Sequence, residues 1–216
     1  MHVLIINGSP RVKKYSNTNA ILEKFTEGLR ENGASFEQYE ISDRASWDRI
    51  RQAFDRNTVI LIALPLYVEC IPGLLIEFLE TLTPKSDGSK LAFLLQGGFM
   101  EGVQLRCGEA YLKILAGKLG CAYMGALVKG DNFSIRFFEG EWRDKVTGPY
   151  ADMGREFAAN GNFHSKACRK FTGHEKYPLP VRIYVGHILK TQATKGFEQM
   201  AAVLGCDKPL DYKPYS

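Results

Sequence analysis

Short apolar runs alternate with amphipathic stretches through the first 128 residues of the chain. Apolar runs of strand length indicate strands that are covered on both faces. Between them, apolar positions recur every three or four residues, which is typical of helices with one buried stripe. The pattern predicts strands at residues 3–6, 35–41, 58–64, 91–95 and 122–128. It predicts helices at residues 17–32, 47–54, 72–82 and 104–119, with Ser46 as a candidate N-cap.

Strands that alternate with helices at this spacing predict an α/β fold with one parallel sheet covered by helices on both sides. We expect a three-layer sandwich with the strand order 2-1-3-4-5 and right-handed crossovers. In that order the loops after strands 1, 3 and 4 emerge at the same carboxyl edge, where open α/β sheets bind ligands. These loops are residues 7–18, 64–72 and 96–104.

The remaining residues, 129–216, have a less regular pattern. Residues 129–142 are rich in aromatic side chains and have no clear period, whereas residues 148–159, 181–190 and 195–204 have helical spacing. The aromatic run has two interpretations: it packs beneath a long loop, or it forms a lid or a dimer contact beside a ligand. We expect one domain over residues 1–216, with a core at 1–128 and a C-terminal extension at 129–216.

Composition excludes several classes of protein. The net charge of +4, from 28 basic and 24 acidic residues, is too small to predict nucleic-acid binding. No apolar run reaches the length of a membrane span, and the N-terminus lacks a signal-peptide pattern. The five cysteines are odd in number and form no C-x-x-C pair, which argues against a disulfide framework or a metal site. We therefore expect a soluble cytoplasmic protein with reduced thiols.

The first loop carries groups that suit a phosphate monoester. Gly8 permits a sharp turn close to a ligand, and the planar guanidinium of Arg11 matches phosphate oxygens. The helix that begins near residue 17 directs free N–H groups and its positive dipole end at the same place. Neither the P-loop pattern nor G-x-G-x-x-G is present. The candidate phosphate-binding residues are Ser9, Arg11, Ser16, Asn17 and Thr18.

The second and third loops could form the two edges of a slot beside that phosphate site. Tyr67 can present an aromatic face or a hydroxyl to a planar ligand, although it could also only cover the sheet edge. The adjacent Gly97 and Gly98 indicate either close approach of the backbone to a ligand or a flexible turn. The candidates here are Pro65, Leu66, Tyr67 and Val68 in one loop, and Gln96, Gly97, Gly98 and Phe99 in the other.

Taken together, these motifs resemble the flavodoxin-like NAD(P)H-dependent FMN reductases and quinone oxidoreductases, and the related iron–sulfur flavoproteins. The resemblance rests on Gly8-Ser9-Pro10-Arg11 with Ser16-Asn17-Thr18, on Pro65-x-Tyr67 followed by Ile71-Pro72-Gly73, and less tightly on Gly97-Gly98. It covers residues 1–128, in fold and in the order of the motifs. The cluster cysteines of the iron–sulfur flavoproteins are absent from the sequence, so no cluster is expected.

The resemblance implies FMN at the sheet edge, NAD(P)H as the hydride donor, a small acceptor such as a quinone or free flavin, and a homodimer or homotetramer. The first-loop candidates would hold the FMN phosphate, and the other two sets would line the isoalloxazine ring. The resemblance assigns no side chain as a catalytic acid or base, so the catalytic residues stay unassigned. Val68 and Glu69 depart from the family, which usually has small or amide residues there.

Two other functions remain open from the sequence. One is a flavodoxin-type FMN electron carrier without its own NAD(P)H activity. Such carriers are usually short and strongly acidic, so the charge of +4 and the extension argue against this function. The other is a regulatory protein that keeps the fold without the cofactor.

Overall fold

A computed structural model of the chain describes residues 1–137 and 139–213. Contacts divide it into two compact units, Met1–Glu175 and Lys176–Ser216. The first unit contains a sheet of parallel strands in the order β2-β1-β3-β4-β5. This architecture confirms the predicted α/β fold and its strand order. The strands are β1 (His2–Asn7), β2 (Ser35–Glu40), β3 (Val59–Leu66), β4 (Lys90–Gly97) and β5 (Ala122–Lys129).

Helices cover both faces of this sheet, as the sequence predicts. They are α1 (Asn17–Glu31), α2 (Trp47–Arg56), α3 (Gly73–Leu79), α4 (Arg106–Lys118), α5 (Glu141–Thr147), α6 (Pro149–Asn160) and α7 (Lys166–Thr172). Successive residues of a strand point to opposite faces. Leu4 and Ile6 of β1 therefore join the apolar cluster beneath α2, α3 and α4. Val3 and Ile5 join the cluster beneath α1 and α6.

The first half of the extension belongs to that second cluster. Tyr150, Met153 and Phe157 of α6 are buried with Phe25 of α1 and with Val3 and Ile5 of β1. The rings of Phe25 and Phe157 lie 6.0 Å apart. Because these side chains complete one face of the sandwich, residues up to 175 are integral to the first unit.

Short 3-10 turns lead into some of the predicted α-helices. The 3-10 turn Arg44–Ser46 leads into α2, and the Ser46 hydroxyl donates to Asp43 O over 2.8 Å. Ser46 occupies the N-cap position of α2, but its side chain makes no capping hydrogen bond. The prediction that Ser46 caps this helix is therefore wrong. The turn Gly102–Leu105 likewise precedes α4.

The second unit is helical. It contains α8 (Leu179–Ile188), a π-helical turn (Leu189–Ala193) and α9 (Thr194–Val203), close to the two helices that the spacing predicts. Whether this unit and the first one form one domain stays a prediction. Within residues 1–137 and 139–213, every helix is too short or too polar to cross a membrane.

Candidate functional site

The carboxyl ends of β1, β3 and β4 bring the three candidate loops to one edge. Asn7 of β1 lies opposite Ala63 of β3, and the N–H of Gly8 donates to Ala63 O over 2.7 Å. One step further along the sheet, Leu66 ends β3 directly opposite Gly97 at the end of β4. The second and third loops therefore leave the sheet side by side, as the strand order predicts.

Gly8 is required by the packing of the chain itself. A Cβ atom at this position would lie 2.8 Å from Leu75 Cδ2 and 3.2 Å from Ala63 O. The first loop is thus pressed against β3 and α3, and any larger residue would displace it.

Asn7 fixes the start of the first loop, a role that the sequence analysis missed. Its side chain is fully buried, and Oδ1 accepts a hydrogen bond from the N–H of Ser9 at 3.0 Å. Its Nδ2 donates to Glu40 at the end of β2, and Gln38 Nε2 also donates to that carboxylate at 2.8 Å. Burial raises the pKa of Glu40, although these two amides favour the ionised form.

The N-terminus of α1 has donors to offer to an anion. Ser16 caps the helix, because its Oγ accepts from the N–H of Asn19 at 3.1 Å. Within the described residues, the N–H groups of Asn17 and Thr18 form no hydrogen bond. Free N–H groups in the first turn, together with the helix dipole, favour a negative charge at this point. The exposed Arg11 stands in the same loop.

Two of the predicted residues connect loops beneath the edge. Gln96 Nε2 donates to Thr18 Oγ1 over 3.3 Å, and both side chains are buried. Ser9 is buried too, and its Oγ accepts from the N–H of Arg11 at 3.3 Å. These two hydroxyls therefore also stabilise the loops from within.

The second loop makes a tight turn with an unusual sequence. Tyr67 and Cys70 exchange both backbone hydrogen bonds, at 2.9 and 3.0 Å. The two residues between them, Val68 and Glu69, have φ angles of 48° and 65°. Turns of this kind favour Asn-Gly, because β-branched side chains are strained at positive φ. Val68 is 80% exposed, so no packing of its side chain offsets this strain.

Replacing Val68-Glu69 by Asn-Gly should stabilise the protein by about 1–3 kcal/mol, since each left-handed L-residue costs about 1–2 kcal/mol. Urea unfolding followed by circular dichroism measures the change. Val12→Asn is a matched control, because Val12 is also exposed but has a φ of −57°. An equal gain in the control, or no gain in the turn variant, would contradict the assignment of strain.

The paired glycines of the third loop are packed against protein side chains. A Cβ at Gly97 would lie 2.7 Å from Leu105 Cδ2, and one at Gly98 would lie 3.3 Å from Phe133 Cβ. Close approach therefore occurs, as the glycines indicate, but to the chain itself. Phe99 and Phe133 remain 59% and 45% exposed, and Tyr67 is 43% exposed. Exposed aromatic side chains at a sheet edge are a suitable surface for a flat ligand.

Asn132 joins the first and third loops, a role that no motif in the sequence indicates. Its N–H donates to Gly97 O at 3.0 Å, and its carbonyl accepts from Asn17 Nδ2 at 2.8 Å. Its side chain donates to Lys129 O at 2.9 Å and accepts from the hydroxyl of Tyr150 at 3.1 Å. Asn132 is 2% exposed, so these bonds stabilise the edge from within.

The predicted residues thus fall into two groups. Arg11, Tyr67, Val68, Gly98 and Phe99 are exposed, and Asn17 is partly so. The others are buried: Ser9, Ser16, Thr18, Pro65, Leu66, Gln96 and Gly97. The edge offers free helical N–H groups and a guanidinium in one loop and exposed aromatic side chains in the others. This set of donors and flat surfaces fits a ligand with a phosphate group and a planar ring.

Comparison with known proteins agrees with this geometry. Residues 1–134 match the family model described as NADPH-dependent FMN reductase. A search of curated proteins gave no match.

Solved structures share the fold at low identity. An NAD(P)H:quinone oxidoreductase from Methanothermobacter marburgensis is similar with a TM-score of 0.51 and 17% identity, covering 75% of this chain and 99% of that one. General stress protein 14 from Treponema denticola, in complex with FMN, has a TM-score of 0.53 and 10% identity, covering 73% and 97%. Flavodoxin 1 from Bacillus cereus has a TM-score of 0.50 and 14% identity, covering 74% and 99%.

Proposed function

Because the chain belongs to the NADPH-dependent FMN reductase family, we propose that it binds FMN at the carboxyl edge of its sheet and oxidises NAD(P)H. The electrons would pass to a small acceptor such as a quinone or free flavin. The observation that carries this proposal is the convergence of a first loop with free helical N–H groups and two loops with exposed aromatic side chains. The bound flavin would supply the hydride chemistry.

The phosphate would lie at the N-terminus of α1. The free N–H groups of Asn17 and Thr18 would donate to it, and the guanidinium of Arg11 would pair with its charge. The hydroxyls of Ser9 and Ser16 already accept backbone hydrogen bonds, but each keeps a proton to donate.

The planar ring would lie along the second and third loops. Tyr67 and Phe99 are the exposed side chains that could cover it, together with the backbone around Gly98. Pro65, Leu66, Gln96 and Gly97 would support these contacts from below, since all four are buried. No side chain is needed as a proton donor in this scheme, and the chain's part is to bind and orient the flavin.

The partner molecules follow from the same proposal. We infer a cytoplasmic enzyme with NAD(P)H and a small-molecule acceptor as its substrates, and with no nucleic-acid or membrane partner. We also infer a homodimer or homotetramer, and light scattering of the purified protein measures this state directly.

Arg11→Met should weaken FMN binding by about 10- to 100-fold, the equivalent of about 1.5–3 kcal/mol for a hydrogen bond to a charged group. Stability without FMN should not change, because the Arg11 side chain is exposed and forms no ion pair with any described residue. Titration of flavin-free protein with FMN, followed by fluorescence, gives the affinity. Arg49→Met, at an exposed position on α2, removes the same charge as a control.

Ser16→Ala should behave differently from Arg11→Met. It removes the N-cap of α1, so stability should fall by about 1 kcal/mol even without FMN.

If wild-type protein fails to bind FMN, the proposed function is wrong. If the FMN complex forms but NAD(P)H does not reduce it anaerobically, the protein is instead an electron carrier of the flavodoxin type.

A further inference from the structure

A cavity of about 660 Å³ opens at the end of β5 and among the residues that follow it. We call it the α5–α7 cavity, because helices α5, α6 and α7 supply most of its walls. Its volume lies within the range of sites for small molecules. Most of its residues lie beyond residue 134, where the match to the reductase family ends. The lining is Lys129, Asp131, Asn132, Trp142, Lys145, Val146, Pro149, Met153, Ala167, Lys170 and Phe171.

The side chains that line the α5–α7 cavity are mainly apolar, and two of these side chains are aromatic. Met153 is buried at its base, in the cluster that joins α1 and α6. Phe171 and Trp142 supply rings, and Val146 and Pro149 supply aliphatic surface. A cavity with two aromatic walls and an aliphatic base favours a flat apolar body over a flexible polar one.

Three lysines line this apolar cavity without carboxylate partners. Among the described residues, no carboxylate lies within ion-pair distance of Lys129, Lys145 or Lys170. Lys129 Nζ lies 5.3 Å from the ring centre of Phe171, and Lys145 Nζ lies 5.3 Å from that of Trp142.

Lys129 is the least solvated of the three. It is half-buried, and burial lowers its pKa in spite of the nearby carboxylate of Asp131. A half-buried ammonium group with no carboxylate at ion-pair distance gains from a bound anion, because desolvation strengthens a close ion pair. With one aspartate against three lysines, the cavity carries an excess of positive charge.

We propose that the α5–α7 cavity binds an aromatic carboxylate. The carboxylate group pairs with the ammonium groups of Lys129 and Lys145, and the ring packs on Met153. A single negative charge fits better than a phosphate dianion, because the cavity offers lysines and apolar surface but few other donors. This site is separate from the proposed FMN contacts, so it can be tested without flavin.

The test is calorimetric titration of the full chain, free of flavin, with 2-naphthoate and with the uncharged 2-naphthylmethanol. We expect saturable binding of 2-naphthoate, at least about 10-fold tighter than that of the alcohol. Lys129→Met and Lys145→Met should each weaken 2-naphthoate binding by about 10-fold. Lys113→Met is the matched control, because Lys113 is an exposed lysine of α4 outside the cavity.

A second pair of variants tests the place of binding without changing charge. Ala167 is exposed and lines the cavity, so Ala167→Trp should fill it and abolish binding. Ala110→Trp puts the same side chain at an exposed position of α4 and should bind like wild type. The proposal is overturned if 2-naphthoate gives no saturable binding, if the alcohol binds equally well, or if the control variants lose as much affinity as the cavity variants.

Discussion

Gly154→Ala is expected to destabilise the protein by about 3 kcal/mol or more, because it places a methyl group where two helices touch by their backbones. A Cβ at Gly154 of α6 would lie 2.0 Å from Phe25 O of α1. On the opposite side of the same crossing, a Cβ at Gly28 would lie 1.9 Å from Ala151 O. Backbone atoms cannot rotate away as a side chain can, so the helices must separate.

The separation should cost packing throughout the cluster beneath α1 and α6. Phe25, Phe157 and Tyr150 are fully buried in that cluster, and close-packed interiors accommodate added volume poorly. Gly28→Ala should therefore have an effect similar to that of Gly154→Ala. Urea unfolding of both variants, with the midpoint and the slope compared with wild type, measures the loss.

Gly117→Ala separates this clash from the general effect of alanine in a helix. Gly117 lies in α4, and a Cβ there would meet no atom within 4 Å. Alanine at such a site should stabilise the helix by up to about 1 kcal/mol. If Gly154→Ala also proves neutral or stabilising, the two helices do not cross as closely as described.

The sheet could be predicted from the sequence because its strands have a strong local signal. Residues 59–64 of the predicted strand 58–64 are continuously apolar, and β3 runs from Val59 to Leu66 with nearly every residue buried. The strand order followed from the alternation of strands and helices, which restricts the possible topologies. The place where the loops meet follows in turn from the order of the strands.

The hydrogen bonds that hold the candidate site could not be predicted, because they join residues that are far apart in the chain. Asn17 and Asn132 are 115 positions apart, and Gln96 and Thr18 are 78 apart. The family resemblance places Thr18 and Gln96 at the ligand, and only the structure shows that their side chains also bond to each other. Local spacing identifies polar residues near an edge but does not indicate which of them bond to one another.

The sequence also does not show which glycines are required by contacts with distant parts of the chain. Gly28 has the spacing of an ordinary helical residue in the sequence, and only the position of α6 shows why a side chain is excluded. The extension has a similar limit: the spacing predicts a helix over residues 148–159, but the contact of α6 with α1 depends on tertiary packing. Amphipathic spacing predicts that a face is buried but does not predict the partner.

Asn132→Ala is expected to destabilise the protein by about 2–4 kcal/mol and to weaken FMN binding as well. The substitution leaves the Tyr150 hydroxyl and Lys129 O without their partner, and each unpaired buried polar group costs about 1–3 kcal/mol. Tyr150 is fully buried, so its hydroxyl has no access to water as a replacement. Burial also raises the pKa of Tyr150, so the hydroxyl stays protonated and remains a donor.

The effect on FMN should arise from the backbone of the same residue. Asn132 bonds to Asn17 and Gly97 through its main chain, so movement of residues 129–132 shifts the first and third loops relative to each other. Tyr150→Phe keeps the ring and removes one of the two side-chain bonds, and it should cost about 1–2 kcal/mol. Asn160→Ala is a control, because Asn160 is exposed.

Two measurements test this role of Asn132 together. Urea unfolding gives the stability of Asn132→Ala, Tyr150→Phe and Asn160→Ala, and FMN titration at a temperature where all three are folded gives their affinity. A loss of stability with unchanged FMN affinity would mean that Asn132 supports only the fold. We expect a loss of both stability and FMN affinity that is largest in Asn132→Ala, smaller in Tyr150→Phe and absent in Asn160→Ala. This result would mean that one buried amide holds the first and third loops in register.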